Sequence, residues 1–364
     1  MKILYVIHSL PIGGAECLVV NYLLKLKERG NNVSLLEISH EDSFLSDCIK
    51  RNQIPYYTLL KHNILERILN RLFPSLFVLR FNRKLREISP DVIHFQTVYP
   101  FIERLSFPID RSVFTFHARV DRCFNIGPFV RPLFNRLSHT GFCFVAISSR
   151  VENDIRQFFP AANVVKIPNG VDLSDIRKHR KEKEIVRKEL GIADDAFVLG
   201  QVGRFNKVKN HLFTLDVFCI IAQHNEKAVL VLIGDGSEEE KEPIINRIRQ
   251  YGLEQKVLFL GLRDDASQLM CGFDALIHPS FSESFSLVLI EAQVNNIRCV
   301  ASDAIPQEVI CNKNCFQLPL DAPKEKWAEL IMGKEESVGN SSISQFDINV
   351  VIDKHIELYK QISS

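Results

Sequence analysis

The sequence predicts an α/β protein made of two doubly wound domains, each a parallel β-sheet with helices on both faces. Three observations support this prediction. The chain has 364 residues, which is more than one hydrophobic core usually serves. Short runs rich in Val, Ile and Leu alternate with amphipathic stretches of helical length. The same alternation restarts after a charged stretch near the middle of the chain.

The first domain is expected to span residues 1–175. Its predicted strands are 2–8, 32–38, 55–60, 91–96, 112–117, 142–148 and 164–170. A charged stretch follows Asp172 and lacks the pattern of a strand, so it is interpreted as a linker with a short helix. The domain boundary is therefore placed there.

The second domain is expected to span residues 176–346. Its predicted strands are 197–203, 228–234, 256–261, 274–280 and 298–303. Residues 333–346 are polar and rich in turn formers, whereas the following segment has apolar residues at helical spacing. A C-terminal helix over 347–362 is therefore predicted to pack back on the first domain.

Composition favours an ordinary globular protein, which is expected to stay in the cytoplasm. With 46% hydrophobic and 24% charged residues, the chain falls outside the disordered and fibrous classes. No apolar run approaches the roughly 20 residues that span a bilayer, and the N-terminus has the pattern of a core strand rather than a signal peptide. The nine cysteines are scattered without a Cys-x-x-Cys pair, so they are interpreted as buried hydrophobic residues and no metal site is predicted.

Charge is distributed unevenly along the chain. Residues 1–180 contain 25 Lys and Arg against 16 Asp and Glu, and residues 181–364 contain 20 against 28. The first half therefore carries a net charge of +9 and the second −8. Either the first half faces an anionic partner or these charges are simply solvated. No nucleic-acid partner is predicted.

The loops that follow the strands carry the candidate chemistry, because ligands of doubly wound sheets bind at the carboxyl ends of strands. Gly13 and Gly14 follow the first strand and open a helix, where backbone N–H groups suit a phosphate. A tight structural turn is the alternative. The Gly-x-Gly-x-x-Gly fingerprint is not matched, which argues against a nicotinamide or flavin enzyme.

Two cations follow a strand of the second domain. Arg204 ends the strand and Lys209 lies five residues further on, at the mouth of the next helix. Guanidinium and ammonium groups at such a place suit a diphosphate leaving group. Lys207 is the alternative cation, and ordinary surface charge is the alternative interpretation.

The segment 278–293 is the most informative. Glu283 lies in a polar loop after a strand, and Glu291 lies among apolar residues of the following helix, where a carboxylate needs a partner such as a ribose diol. Between them, Ser284 to Leu287 would present free backbone N–H groups at a helix N-terminus. Gly234-Asp235-Gly236 follows another strand of the second domain, where a plain turn is the alternative to a ligand contact. Residues 168–172 are expected to form a rigid turn that sets the angle between the domains.

With these motifs the chain resembles the retaining glycosyltransferases of family 4, which have the GT-B fold, over nearly its whole length. The resemblance is carried by Gly13-Gly14-Ala15-Glu16, residues 168–172, Gly203-Arg204 with Lys209, Gly234-Asp235-Gly236, Phe259-Leu260-Gly261, and Pro279-Ser280 through Glu291-Ala292. It implies two Rossmann-like domains with a donor site in the cleft between them.

The resemblance also implies a role for each site residue. Gly14 would contact the donor phosphate, Arg204 and Lys209 the diphosphate, and Glu291 the ribose. Glu283 would lie near the hydroxyls of the transferred sugar, with the backbone of Phe285, Ser286 and Leu287 beside it. His117, at the end of a strand of the first domain, would lie near the donor sugar and the acceptor. A capping or core histidine is the alternative for His117.

The implied reaction is a retaining transfer from a UDP- or GDP-linked sugar to a glycan or polyprenyl-diphosphate-linked acceptor, as in the synthesis of capsule, exopolysaccharide or O-antigen. No cofactor is expected, and the absence of an Asp-x-Asp motif indicates that no metal is required. The alternatives are a GT-B relative with other chemistry, such as a nucleotide-sugar epimerase or a phosphorylase, and an inactive protein that binds sugar nucleotides.

One departure from the family pattern concerns the loop at Glu283. The family usually has Glu-Gly-Phe-Gly or Glu-Gly-Leu-Pro, whereas this chain has Glu283-Ser284-Phe285-Ser286. If positive φ angles are needed there, this loop is expected to be strained or differently shaped.

Residues 62–89 combine bulky apolar residues with six Lys and Arg and only two Glu. This combination is typical of a helix at an anionic membrane surface, and Pro74 should divide the segment into two helices. The alternative is a pair of helices packed on the sheet with solvated arginines. On the first interpretation, the cytoplasmic protein is expected to associate peripherally with the inner face of the cytoplasmic membrane.

Overall fold

The computed structural model describes residues 1–11, 13–40, 42–60, 74–333 and 342–364. It divides into two compact units. The first comprises Met1–Gly170 together with Ile348–Ser364, and the second comprises Val171–Asp347. The division falls at Gly170, a few residues before the boundary expected near residue 175.

The first unit contains a parallel sheet of seven strands in the order β3-β2-β1-β4-β5-β6-β7. Its strands are β1 Lys2–Ile7, β2 Asn32–Ser39, β3 Tyr56–Leu60, β4 Val92–Phe95, β5 Ser112–Phe116, β6 Cys143–Ala146 and β7 Asn163–Lys166. Among the described residues, its helices before Gly170 are α1 Gly14–Glu28, α2 Phe44–Arg51, α3 Pro74–Ile88, α4 Val120–Cys123, α5 Val130–Leu137 and α6 Ser149–Phe158. The central strands are buried on both faces, which explains their continuous apolar runs.

The second unit contains a parallel sheet of six strands in the order β10-β9-β8-β11-β12-β13. Its strands are β8 Phe197–Val202, β9 Ala228–Ile233, β10 Val257–Gly261, β11 Ala275–His278, β12 Arg298–Ser302 and β13 Cys315–Leu318. Its helices are α7 Leu173–Lys178, α8 Lys183–Glu189, α9 His211–His224, α10 Glu238–Tyr251, α11 Ala266–Leu269, α12 Leu287–Val294 and α13 Lys324–Met332. Single 3-10 turns occur in both units, at Ile102–Arg104, Ile109–Arg111, Phe124–Ile126, Lys207–Lys209, Met270–Gly272, Gln307–Val309 and Ile343–Phe346.

Two doubly wound α/β units agree with the fold class expected from the sequence. The strand β13 was not predicted. It has four residues, pairs with β12 at the edge of the sheet, and owes its conformation to that pairing. The shortness of such an edge strand leaves little periodic signal in the sequence.

The last helix, α14 Ile348–Ser363, belongs to the first unit. Its buried residues Val351, Ile352 and Leu358 join the same hydrophobic cluster as residues of α1 and β1. Tyr359 adds a polar link, because its hydroxyl lies 2.7 Å from the Tyr5 hydroxyl and 2.6 Å from His94 Nδ1. The helix is therefore held by apolar packing and by a buried hydrogen-bonded network.

Pro74 begins α3, consistent with the low cost of proline in the first turn of a helix. Phe77, Phe81 and Leu85 are buried, whereas Leu79 is 60% exposed. The helix predicted before Pro74 falls in 61–73, which lies outside the described residues. Within the described part of the chain, no helix has the length and apolar character to cross a bilayer.

Candidate active site

The second sheet changes direction of winding between β8 and β11. These strands are neighbours, yet the strands that follow each of them lie on opposite sides. The loops leaving β8 and β11 therefore diverge at the carboxyl edge of the sheet, which is where doubly wound sheets bind ligands. These two loops contain Arg204, Lys209 and Glu283.

The loop after β8 is held by two hydrogen bonds to the backbone of Lys209. Asn206 Oδ1 accepts the N–H of Lys209 at 3.1 Å, and Gln201 Nε2 donates to the Lys209 carbonyl at 2.8 Å. Asn210 then adopts a left-handed conformation with φ 56°, and α9 begins at the next residue. These contacts fix the backbone of Lys209 at the mouth of the helix.

Lys209 and Glu283 form an ion pair between the two loops. Lys209 Nζ lies 2.6 Å from Glu283 Oε1, and His278 Nε2 lies 3.3 Å from the same oxygen. Burial raises the pKa of Glu283, but the His278 hydrogen bond and the Lys209 charge outweigh burial and bring the pKa to about 2. Burial and the Lys209 charge together lower the pKa of His278. The cluster therefore holds an ionised carboxylate beside a neutral imidazole near pH 7.

The loop after β11 leads into α12. The N–H of Phe281 donates to the Val208 carbonyl at 2.9 Å, which ties this loop to the one after β8. Ser286 caps α12, because its hydroxyl accepts the N–H of Leu289 at 3.4 Å. The first-turn N–H groups of α12, beginning with Leu287, precede any intrahelical acceptor and form a site suited to an anion or a sugar hydroxyl.

The strain expected at Ser284 and Ser286 is not observed. Neither residue has a positive φ angle, and Ser286 is extended with φ −148°. The serine hydroxyl instead serves as the helix cap and lies 3.3 Å from His278 Nε2. Phe285 is buried, with its ring 5.3 Å from that of Phe346. The departure from the family pattern thus replaces glycine with a capping residue and no backbone strain.

Glu291 lies within α12 and is partly buried. Burial raises its pKa to about 7, well above the usual value for a carboxyl group. No hydrogen bond or ion pair to its carboxyl group is found among the described residues. The structure thus presents a carboxyl group that a hydroxyl-bearing ligand would stabilise.

Arg204 behaves differently from Lys209. Its side chain is exposed and makes no ion pair with the described residues, so the structure does not join it to the pair of Lys209 and Glu283. It lies in the same loop, three residues before the 3-10 turn that contains Lys209.

The turn at Gly234-Asp235-Gly236 has a structural role. Gly234 has φ 142°, and a Cβ atom there would lie 2.0 Å from the Gly203 carbonyl oxygen. The Asp235 carbonyl accepts the N–H of Phe205 at 2.8 Å, and the Asp235 carboxylate pairs with Lys241 at 2.7 Å. The turn therefore packs against the loop that contains Arg204 and Lys209 and helps to fix its backbone.

In the first unit, the corresponding change of winding occurs between β1 and β4. Gly14 begins α1 and is exposed, with nothing within 4 Å of the position of a Cβ atom. His117 follows β5, and its Nε2 lies 2.6 Å from Gln96 Oε1 in the loop after β4. Burial lowers the pKa of His117 to about 4, so the ring is neutral near pH 7.

Sequence reasoning missed several polar residues at these two edges. His278 begins the segment 278–293 and Gln96 ends a predicted strand, but neither was predicted to be a site residue. Glu37 is fully buried and accepts the N–H of Leu10 at 3.0 Å, so it holds the loop that precedes Gly14. Their position at the carboxyl ends of strands was the available signal.

Family models match both halves of the chain. The model described as Glycosyltransferase Family 4 matches residues 12–175, and the model described as Glycosyl transferases group 1 matches residues 182–331. Together they take in most of the chain, and each falls largely within one structural unit.

Individual relatives match shorter regions. EpsF of Bacillus subtilis (strain 168) is 36% identical over 169 residues, which are 45% of this chain and 43% of EpsF. The UDP-Gal:α-D-GlcNAc-diphosphoundecaprenol α-1,3-galactosyltransferase of Escherichia coli is 31% identical over 139 residues, 38% of this chain and 36% of that enzyme. The matched regions thus span less than half the length of these two curated relatives.

A solved structure matches along the whole chain. HepE from Anabaena, determined in complex with UDP and glucose, has 21% sequence identity and a TM-score of 0.79. The match covers 99% of this chain and 100% of HepE. The likeness extends the agreement in fold to both units.

Proposed function

Because the chain belongs to glycosyltransferase family 4, we propose that it is a retaining glycosyltransferase that moves a hexosyl group from a nucleotide sugar to an acceptor glycan. The acceptor is a glycan or a saccharide linked to polyprenyl diphosphate, in the synthesis of a bacterial surface polysaccharide. The name of the galactosyltransferase relative, whose acceptor is a diphosphoundecaprenol-linked sugar, supports this acceptor class.

The observation that carries the proposal is the ion pair of Lys209 and Glu283 at the change of winding of the second sheet. Lys209 is the cation that binds the donor diphosphate, and the exposed Arg204 is the second cation. The donor competes with Glu283 for the Lys209 ammonium group, which frees the carboxylate to accept hydrogen bonds from the hydroxyl groups of the transferred sugar. UDP- and GDP-linked sugars both fit this description.

The remaining donor contacts come from α12 and α1. Glu291 accepts hydrogen bonds from the ribose hydroxyls, and the first-turn N–H groups from Leu287 receive an oxygen of the donor. The backbone of Phe285 and Ser286 contacts the transferred sugar. The N–H groups that begin with Gly14 contact a phosphate in the same way. No metal is required, because these cations and helix ends offset the charge on the leaving group.

The transfer itself breaks the bond between the anomeric carbon and the diphosphate oxygen. The bonding pair leaves with the nucleotide diphosphate, whose negative charge Lys209 and Arg204 stabilise. The acceptor hydroxyl attacks the same face of the sugar, and its proton passes to the departing diphosphate. His117 donates its Nε2 proton to Gln96, so its Nδ1 remains to accept a hydroxyl hydrogen of a bound sugar.

We also place the acceptor at a membrane surface. The exposed side of α3 carries Leu79, Arg83 and Arg86, an apolar side chain flanked by cations. This composition suits an anionic lipid surface from which a polyprenyl-linked acceptor would be presented. The association is peripheral and takes place on the inner face of the cytoplasmic membrane.

A direct assay tests the proposal. The purified protein is incubated with UDP- and GDP-sugars and with polyprenyl-diphosphate-linked saccharides, with and without a chelator, and the anomeric configuration of the product is determined by NMR. We expect transfer with retained configuration that persists in the chelator. Tight nucleotide-sugar binding without transfer or hydrolysis would indicate an inactive binding protein, and interconversion of the donor sugar would indicate an epimerase.

A further inference from the structure

Glu283 has a second polar partner besides Lys209. Its Oε1 lies 2.6 Å from Lys209 Nζ and 3.3 Å from His278 Nε2. Only 15% of the Glu283 side chain is exposed, and the His278 side chain is buried. A mostly buried carboxylate needs a partner, because an unmatched buried charge is unfavourable. The response of the site to a ligand therefore depends on which partner remains with Glu283.

The two partners are anchored differently. Lys209 lies in the 3-10 turn Lys207–Lys209, and its ammonium group ends a flexible four-carbon stem that is partly exposed. His278 is the last residue of β11, where it pairs with Ala301 of β12, and its ring is buried. A ligand can therefore draw the ammonium group away, whereas the imidazole ring stays beside Glu283.

The hydrogen on the His278 ring can be placed by elimination. The pKa of Glu283 is brought to about 2 by its neighbours, so the group is an ionised carboxylate that only accepts hydrogen bonds. His278 Nε2 therefore carries the hydrogen and donates it toward Glu283 Oε1. The Ser286 hydroxyl lies 3.3 Å from the same nitrogen and can only accept from this N–H.

We propose that His278 is a positioning residue for Glu283: when a nucleoside diphosphate draws the Lys209 ammonium group away, the Nε2–H of His278 keeps the carboxylate in place. The inference rests on the proposed function, in which Lys209 binds the donor diphosphate and Glu283 contacts the transferred sugar. His278 then holds Glu283 in position for the sugar hydroxyl groups. Only ion pairs and hydrogen bonds are exchanged, so no covalent bond forms or breaks.

A purely structural role for His278 predicts a different result. The ring also lies beside Ser286, the residue that caps α12. If the ring only supported this cap or the packing of β11, its loss would weaken ligand binding whether or not residue 283 carries a charge. If it acts through Glu283, its loss matters only while the carboxylate is present. A double-mutant cycle between the two residues separates these cases.

Calorimetric titration of the full chain with UDP and with GDP tests the proposal. We expect at least one nucleotide to bind, and its affinity to fall about tenfold or more in His278→Leu, because the bound state then contains a carboxylate that has lost both partners. In Glu283→Gln the nucleotide should bind at least as tightly as in the unchanged protein, since Gln does not compete as an anion for Lys209. Adding His278→Leu to Glu283→Gln should then change the affinity by less than about threefold.

The matched control is His211→Leu. His211 is another buried histidine of the second unit, two residues after Lys209, and neither of its ring nitrogens has a hydrogen-bond partner in the described part of the chain. Its replacement should therefore leave the nucleotide affinity unchanged. The conservative variant His278→Gln keeps an N–H donor, so its affinity should lie within about threefold of that of the unchanged protein. Circular dichroism confirms that each variant is folded.

Nuclear magnetic resonance of the unchanged protein, with isotope-labelled histidine, provides a second measurement that does not require His278→Leu to fold. The His278 ring signals are those that are missing from His278→Gln. We expect a hydrogen on Nε2 in the free protein. The signal of that hydrogen should move downfield at saturating nucleotide, because the bond to Glu283 strengthens when Lys209 leaves.

The outcomes distinguish this inference from the proposed function. If a nucleotide binds but His278→Leu has no effect, or has the same effect with and without the Glu283 carboxylate, the positioning role is overturned and the donor site stands. The same holds if His211→Leu weakens binding as much as His278→Leu, or if His278 Nε2 carries no hydrogen. Failure of both UDP and GDP to bind would contradict the proposed function itself, and the positioning role with it.

Discussion

Lys209 Nζ lies 2.6 Å from Glu283 Oε1, although 73 residues separate the two positions in the chain. The pair joins the two loops that diverge at the carboxyl edge of the second sheet. Each partner depends on the other, since removing one leaves a partly buried charge unmatched. The pair therefore links the two loops, and under the proposed function the donor diphosphate would compete with Glu283 for the Lys209 ammonium group.

Lys209→Ala is expected to weaken nucleotide-sugar binding by about 1–3 kcal/mol, because a charged group of the donor loses its partner. Lys207→Ala is the matched control, since Lys207 is an exposed lysine of the same 3-10 turn. Affinity is measured by calorimetric titration of UDP- and GDP-sugars. Equal loss in both variants would indicate that the loop contributes only general positive charge.

The same pair predicts that the free energy of unfolding falls at acid pH. The pKa of Glu283 in the folded protein, about 2, is below its value in the unfolded chain, so the carboxylate stabilises the fold above that unfolded value. This contribution is lost as pH falls from about 4.5 toward 2. Denaturant unfolding across this range should show a smaller loss of stability in Glu283→Gln. A parallel pH profile in both proteins would contradict the assignment.

Glu291→Gln is expected to stabilise the free protein and to weaken donor binding. The pKa of Glu291 is raised to about 7, so ionisation opposes folding increasingly as pH rises from about 4.5 to 7, and the substitution removes a penalty of about 1–3 kcal/mol. If ribose hydroxyls require the carboxylate, donor affinity of the unchanged protein rises with pH and levels off above about 7. Thermal unfolding and titration at several pH values measure both effects.

The comparison for Glu291 is Glu254→Gln, which removes an exposed carboxylate from the same unit. It should change neither the stability nor the pH dependence of donor binding. Loss of donor affinity in Glu291→Gln without any change in its pH dependence would point to altered packing of α12 rather than to a ribose contact.

His117→Ala is expected to retain its fold and its donor affinity while turnover falls about tenfold or more, as for the loss of one hydrogen bond to the reacting sugar. Its neutral ring, with a pKa of about 4, predicts no change in activity from this group between pH 6 and 8. Steady-state kinetics provide kcat and KM separately. His139→Ala, at an exposed position of the same unit, is the control. Normal turnover in His117→Ala would leave it a structural role with Gln96.

Two glycine substitutions should affect different properties, one the donor affinity and the other the melting temperature. Gly14→Ala meets open space, so it should leave the melting temperature unchanged and weaken donor binding if a phosphate approaches the backbone there. Gly234→Ala would bring a Cβ atom to 2.0 Å from the Gly203 carbonyl oxygen at an unfavourable φ of 142°, so it should lower the melting temperature markedly. Differential scanning fluorimetry with and without nucleotide sugar measures both. Unchanged affinity in Gly14→Ala would remove that residue from the site.

The membrane prediction is tested by co-sedimentation with liposomes that contain anionic lipid. Each cation near such a surface contributes about 1 kcal/mol, so binding should be strong at low salt and lost on changing the cations of α3 to Gln. The changed residues are Arg80, Arg83, Lys84 and Arg86. A control changes the same number of cations elsewhere on the first unit, at Lys2, Arg51, Arg122 and Arg131. Absence of binding at low salt, or equal loss in the control, would refute membrane docking while leaving the transferase proposal intact.

The sequence by itself determined the elements and the chemical character of the loops. Apolar runs buried on both faces predicted the central strands, and polar residues directly after them predicted where ligands bind. The edge strand Cys315–Leu318 escaped prediction because its conformation comes from pairing with its neighbour. The serines at 284 and 286 suggested strain only because their backbone angles could not be read from their identity.

Only the tertiary structure decided which of those loops meet. The order of strands places the loop of Lys209 against the loop of Glu283, and it brings His278 to the same oxygen, a contact that sequence reasoning missed. The physical reason is that periodicity and propensity act over a few neighbouring residues, whereas strand order is decided by packing between segments far apart in the chain.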